Sequence, residues 1–304
     1  MKKAVKIISV NILILVLMFF IIDYISLGII FYDPPIPFIL GDFSRLEQDI
    51  DYDSSKKSII TLGCSFTYGE GIEPNETLAY KLQQATNRKV YNRGVNGWGP
   101  QFVLKDIQTS KFFNEFMPET HDDKIVEPEY VIYTFIPDHV RRIYSDYFSV
   151  IDRVVFHLYD VRGNKLVRRK NEVDFTDYIN LLTLVKRIKW IKYLNTSNDK
   201  KFDRIKLYFY AMKDEINKRF PDTKFVIIIY NSQSDISHNH SVPFTTTRWN
   251  ELENDGFIVL NFDTPEYNFL ADHEFLSQLD FEHPGPKAWD ALVPIIVDRL
   301  GLKE

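Results

Sequence analysis

Five short runs of β-branched and aromatic residues constrain this chain more than any other feature. Ser58-Ile59-Ile60-Thr61-Leu62-Gly63 is the first, Lys89-Val90-Tyr91-Asn92 the second and Tyr130-Val131-Ile132-Tyr133-Thr134-Phe135 the third. Residues 224–230 and 257–262 are the fourth and fifth. Between and after them, residues 76–86, 100–116, 206–219 and 286–300 carry apolar side chains at helical spacing, as Leu78, Leu82 and Ala85 do in the first of these stretches. Runs that are apolar throughout suit strands buried on both faces. Strands that alternate with helices are joined by crossovers and lie parallel. The sequence therefore predicts a mainly parallel sheet with helices on both faces.

One stretch breaks the rhythm. Residues 144–203 form an extra segment between the third strand and the helix before the fourth. Within it, a run from Val154 to Tyr159, the turn-forming pair Gly163-Asn164 and Lys165-Leu166-Val167 read as a β-hairpin. Lys186, Arg187, Lys189 and Lys192 then alternate with Leu184, Ile188, Trp190 and Ile191. That pattern fits a solvated helix face or a contact with a membrane surface or anionic polymer. Excursions of this length often serve as lids or binding elements. The aromatic residues Tyr144, Tyr147, Phe148, Phe156, Tyr159 and Trp190 either wall a substrate site or pack the insertion onto the domain.

The other departure from a globular pattern is at the N-terminus. Residues 7–32 are almost continuously apolar, long enough to cross a bilayer core. Lys2, Lys3 and Lys6 precede the run, while Asp33, Asp42, Glu47, Asp49 and Asp51 follow it, with Arg45 the only base nearby. The positive-inside rule then predicts a single-pass anchor, with residues 1–6 in the cytoplasm and the domain in the periplasm or outside the cell. A cleaved signal peptide is the rival reading, although no small-x-small cleavage site stands out. Residues 33–57, opening on Asp33-Pro34-Pro35-Ile36-Pro37, read as a linker, and residues 58–304 as one domain. A net charge of −5 gives no basic footprint for nucleic acid. With Cys64 as the single cysteine, an intrachain disulfide and multi-cysteine zinc sites are excluded.

Two local signals carry chemistry. Gly63-Cys64-Ser65-Phe66-Thr67-Tyr68-Gly69 directly follows the first apolar run. Glycines on both sides of a serine allow a sharp turn, which sets the hydroxyl at the strand's C-terminal end, where open parallel sheets bind ligands. The bland alternative is a serine that merely caps the next helix. Asp280-Phe281-Glu282-His283-Pro284 precedes the last helix. A serine nucleophile needs a base to take its proton and an acid to orient that base, and an Asp and a His three residues apart in one loop can meet. Asp272-His273 is a poorer pair, because adjacent residues point apart. His238-Asn239-His240 lacks the carboxylate spacing of a metal site.

Together and in this order, these segments resemble the SGNH/GDSL hydrolase family. Gly63-Cys64-Ser65-Phe66 is similar to its first block, usually Gly-Asp-Ser-Leu/Phe, with Cys64 in place of Asp. Asp280-x-x-His283 is similar to its last. Asn92-Arg93-Gly94-Val95-Asn96-Gly97-Trp98-Gly99 resembles the second, which aligns Gly97 with an oxyanion-hole glycine. The resemblance spans roughly residues 58–300, outside the insertion. It implies a three-layer α/β/α sandwich with a flavodoxin-like sheet of five mainly parallel strands. It also implies acyl transfer with no metal or organic cofactor. Ser65 is then the nucleophile, His283 the base and Asp280 its orienting acid, and the N–H groups of Ser65 and Gly97 hold the oxyanion. One block departs. Where the family offers Gly-x-Asn-Asp, this chain has Phe135-Ile136-Pro137-Asp138-His139-Val140-Arg141-Arg142, and a proline cannot donate. His139, Asn96 and Arg141 are the candidate replacements. An ester-bearing small molecule, glycan or lipid is the implied substrate class. An O-acyltransferase of a polysaccharide-modifying system and a non-catalytic binding module are the alternatives.

Overall fold

A computed structural model describes residues 14, 18, 45, 48–109, 127–144, 159–168, 191–230 and 244–303. Most of the apolar segment 7–32, residues 145–158 and 169–190 of the insertion, and His238-Asn239-His240 lie outside the described residues. Among those described, no helix is long and apolar enough to cross a membrane.

The sheet has five strands: β1 (Ser58–Gly63), β2 (Val90–Gly94), β3 (Pro128–Phe135), β6 (Lys224–Ile229) and β7 (Ile258–Asn261). All neighbouring pairs are parallel, in the order β2-β1-β3-β6-β7. Side chains alternate between the faces with the two-residue period of a strand. Ile60, Leu62, Val131, Tyr133, Phe135, Phe225, Ile227 and Ile229 enter one core layer. Ile59, Tyr130, Ile132, Val226 and Ile228 enter the other. Helices α3 (Pro100–Ile107), α5 (Asn198–Arg219) and α6 (Thr246–Asn254) close the first layer with Leu104, Phe202, Phe209, Met212, Trp249 and Leu252. Helices α2 (Leu78–Thr86) and α7 (Pro286–Arg299) close the second with Leu78, Leu82, Trp289, Leu292 and Ile296. Full burial of each such side chain contributes roughly 1.5–3 kcal/mol, which explains why runs apolar on both faces commit the chain to this arrangement.

The insertion is partly described. Strands β4 (Tyr159–Arg162) and β5 (Lys165–Arg168) pair antiparallel around Gly163 and Asn164, the turn expected from the sequence. Gly163 adopts φ +61, the left-handed region that glycine enters without strain. Tyr159 is buried against Tyr208 of α5, and its hydroxyl donates to Gln108 Oε1 at 2.8 Å. Tyr144 rests on Tyr193 and donates to the Lys200 carbonyl at 2.8 Å. The described part of the insertion thus packs onto α5 and the end of α3. No hydrogen bond joins its described residues to Ser65, Asp280 or His283.

Strand order decides where a site forms. From β1 the chain crosses to β2 on one side, then passes back over β1 to β3 on the other. The connections therefore diverge between the C-terminal ends of β1 and β3. A crevice at such a reversal is where open parallel sheets bind ligands.

Candidate active site

The turn that leaves β1 lies at this reversal. Gly63 has φ +153, and a Cβ there would stand 2.2 Å from Thr67 Oγ1. A glycine is therefore required to bring Cys64 and Ser65 into the short helix α1 (Ser65–Tyr68). Gly94, at the end of β2, lies equally close, since a Cβ on it would be 2.2 Å from the Tyr68 nitrogen. The glycines of the first and second sequence blocks let two backbones touch beneath Ser65. Cys64 is fully buried, and burial pushes its thiol up, so it remains protonated as part of the core. Ser65 is 5% exposed.

His283 reaches this turn from the loop before α7. Its Nε2 is 2.7 Å from Ser65 Oγ, and its Nδ1 is 2.6 Å from Asp280 Oδ2. An ionised carboxylate only accepts, so Nδ1 carries the ring proton, and Nε2 is left to accept from the serine hydroxyl. Asp280 Oδ1 accepts from the backbone N–H groups of Glu282 at 2.9 Å and His283 at 3.1 Å. Burial raises the Asp280 carboxyl, but these two donors and the His283 ring outweigh it and hold the group below its ordinary value. Phe66, one residue beyond the serine, packs its ring 5.1 Å from that of His283. The Glu70 carboxylate lies 3.4 Å from Nε2, a neighbour that the sequence alone gave no reason to select.

The histidine loop is tied to the serine turn by its own backbone. Leu276 and Pro284 form an antiparallel bridge, and the Ser277 N–H donates to the His283 carbonyl at 2.7 Å. Ser277 Oγ donates to the Gly71 carbonyl at 2.9 Å, just past the end of α1. Phe281 takes φ +56, rare for an aromatic residue. Its N–H is held by the Ser277 carbonyl at 2.9 Å, and its ring stacks 4.2 Å from that of His273. Asp272-His273 therefore supports the loop and does not pair with the serine.

The second block forms a turn beside Ser65. Val95 donates to the Gly63 carbonyl, and Trp98 donates back to Val95, both at 3.1 Å, with Gly97 at φ +75 between them. Neither the Gly97 N–H nor the Ser65 N–H donates to another described residue. Asn96, in the same turn, keeps a buried side-chain oxygen with no partner among the described residues.

The third block holds two of the candidate replacements for the absent asparagine. Both are buried: Arg141 lies on the Asp138 carboxylate, while His139 keeps an Nε2 with no partner among the described residues. Residues 138–144 form a helix, α4 (Asp138–Tyr144), and His139 is 0% exposed. Its Nδ1 pairs with the Tyr133 hydroxyl at 2.8 Å, and its ring packs on Tyr133 and Phe135 in the first core layer. Arg141 is buried against the Asp138 carboxylate. The helix turns both side chains inward, which the sequence could not reveal without the position of Asp138. Burial, helped by the Arg142 charge, pushes His139 well below its ordinary value, so it is neutral when folded. The unfolded chain therefore takes up a proton below about pH 6.5 that the folded chain refuses, and stability falls as pH drops. The slope for one group is at most about 1.4 kcal/mol per pH unit. His139→Gln is expected to flatten that slope in denaturant titrations between pH 7 and 5 and to leave kcat unchanged. A large kcat loss would instead mark His139 as part of the site.

No family model matches the chain, and no curated protein matches it. Solved structures similar to it include a protein assigned to the lipolytic G-D-S-L family from Desulfitobacterium hafniense DCB-2. That pair is 12% identical with a TM-score of 0.45, over 80% of this chain and 99% of that one. The psychrotrophic esterase EstA from Pseudoalteromonas sp. is also similar, at 12% identity and a TM-score of 0.43, over 81% and 97%. AlinE4, an SGNH-hydrolase family esterase, is 15% identical with a TM-score of 0.41, over 81% and 95%. In each case the likeness is one of fold.

Proposed function

We propose that this chain is an ester hydrolase of the SGNH/GDSL type that works through an acyl-enzyme. The reading is carried by the unbroken hydrogen-bond chain from Asp280 through His283 to Ser65, at 2.6 and 2.7 Å. Ser65 Oγ attacks the ester carbonyl as its proton passes to His283 Nε2. Asp280 fixes the tautomer and stabilises the imidazolium. The negative oxygen is received by the N–H groups of Ser65 and Gly97. His283 then returns its proton to the departing alkoxide, and a water activated by the same ring releases the acyl group. The experiment is labelling with a fluorophosphonate probe, which phosphonylates activated serines. The wild-type chain is expected to be labelled at Ser65, and Ser65→Ala is expected to be silent. An unlabelled wild-type protein that is folded would overturn the reading.

We also propose that residues 7–32 tether the domain to a membrane, with residues 1–6 in the cytoplasm. The support is the charge asymmetry, three lysines before the run against a single base, Arg45, within the 19 residues after it. Protease added to spheroplasts should remove the domain, and intact-mass measurement should still find the residues before Asp33. A protected domain would contradict the orientation. A mature chain that begins after the run would contradict the tether.

A further inference from the structure

Arg142 is the residue in the departing third block that does reach the second. Its Nη1 donates to the Trp98 carbonyl at 2.7 Å, and its Nε donates to Asp138 Oδ2 at 2.7 Å. Its own carbonyl accepts from Gln101 Nε2 at 3.1 Å. The approach is close: a Cβ on Gly99 would stand 3.0 Å from Arg142 Cβ. Trp98 is thus gripped twice. Its N–H closes the turn on Val95, and its carbonyl is held by the guanidinium. Gly97 lies inside that turn, one residue from the grip.

We propose that Arg142, fixed by Asp138, is a positioning residue that holds the Val95–Trp98 turn so that the Gly97 N–H faces the reacting carbonyl. It thereby compensates for the donor lost at Pro137 by rigidity and not by direct donation. The proposal rests on the acyl-transfer reading. Asp138 is suited to the task. Burial raises its carboxyl, but the two guanidiniums outweigh it and hold the group well below its usual range. It therefore anchors Arg142 throughout the neutral range. A guanidinium can bridge a carboxylate and a carbonyl with separate N–H groups, whereas an ammonium on a flexible stem does this poorly.

The test uses the full chain, a short-chain nitrophenyl ester as substrate and the variants Arg142→Gln and Arg142→Lys. A misplacement of about 1 Å costs on the order of 10²-fold in rate. Arg142→Gln is therefore expected to lower kcat by roughly that factor with KM nearly constant, and Arg142→Lys to fall between it and wild type. Hydrogen exchange followed by mass spectrometry should show faster exchange of the 94–99 segment in both variants. A folded Arg142→Gln protein with wild-type kcat overturns the proposal. If the glutamine variant does not fold, a folded lysine variant with wild-type kcat and unchanged exchange at 94–99 overturns it equally. The exchange measurement does not depend on the chemistry. If Ser65→Ala retains full esterase activity, the acyl-transfer reading fails. Unchanged exchange in the arginine variants would then still reject the clamp, and faster exchange would leave Arg142 as a structural clamp on the turn with its catalytic role overturned.

Discussion

Replacing Ser65 by alanine is expected to lower kcat for a nitrophenyl ester by roughly 10⁶-fold, and adding His283→Ala is expected to cost nothing further. The reasoning follows from the geometry. Ser65 Oγ has an acceptor at 2.7 Å, and that acceptor's other nitrogen is held at 2.6 Å by a carboxylate. Three groups joined in this way act as one unit, so removing either end of the Ser65–His283 contact leaves the same residual machinery. On the proposed reading, what remains is the pair of backbone donors and substrate binding, about 10³–10⁴ over water in serine hydrolases of comparable arrangement. Single and double variants should also unfold near the wild-type temperature, because Ser65 is a small side chain at the turn that leaves β1. A double variant whose loss is the product of the two single losses would show that the residues act independently. A Ser65→Ala protein within tenfold of wild type would remove the serine from the mechanism.

The parts of this molecule that were legible in sequence are those whose cause is local. The five strands could be read because parallel strands under two helical layers must be apolar on both faces, as Ile59, Ile60 and Leu62 of β1 are. Gly63, Gly94 and the Asp280-x-x-His283 spacing were legible because a steric demand or a side-chain reach fixes them. The N-terminal half of α5 was not foreseen, although Phe202 and Ile205 continue the buried stripe of Phe209, Met212 and Ile216, and Ser197 caps the helix. The charged residues between them weaken the period. Helix α6 carries a weak apolar period, because only Trp249 and Leu252 of its nine residues are buried. Around the third block the limit is of another kind. Whether His139, Arg141 or Arg142 faces the crevice depends on where Asp138 stands and on the Trp98 carbonyl, 44 residues away in sequence. A run of charged residues carries no record of such partners.

The second large effect is expected at Asp280. Asp280→Asn should lower kcat by about 10⁴-fold with the fold intact, as the loss of the orienting carboxylate does in a Ser–His–Asp site. An asparagine is nearly isosteric. Its oxygen can still accept from the Glu282 and His283 N–H groups that Asp280 Oδ1 now satisfies. The amide nitrogen is then left facing His283 Nδ1, and because it donates, it favours the tautomer with the ring proton on Nε2. That nitrogen can no longer accept from Ser65, and the hydroxyl loses its base. The carboxylate itself is robust. Held below its ordinary value by the two backbone donors and the His283 ring, Asp280 is ionised in the neutral range. The measurement is kcat and KM from pH 5 to 9 for wild type and Asp280→Asn, with thermal unfolding as the check on structure. If the asparagine variant keeps more than a tenth of wild-type kcat, Asp280 is not the residue that orients His283.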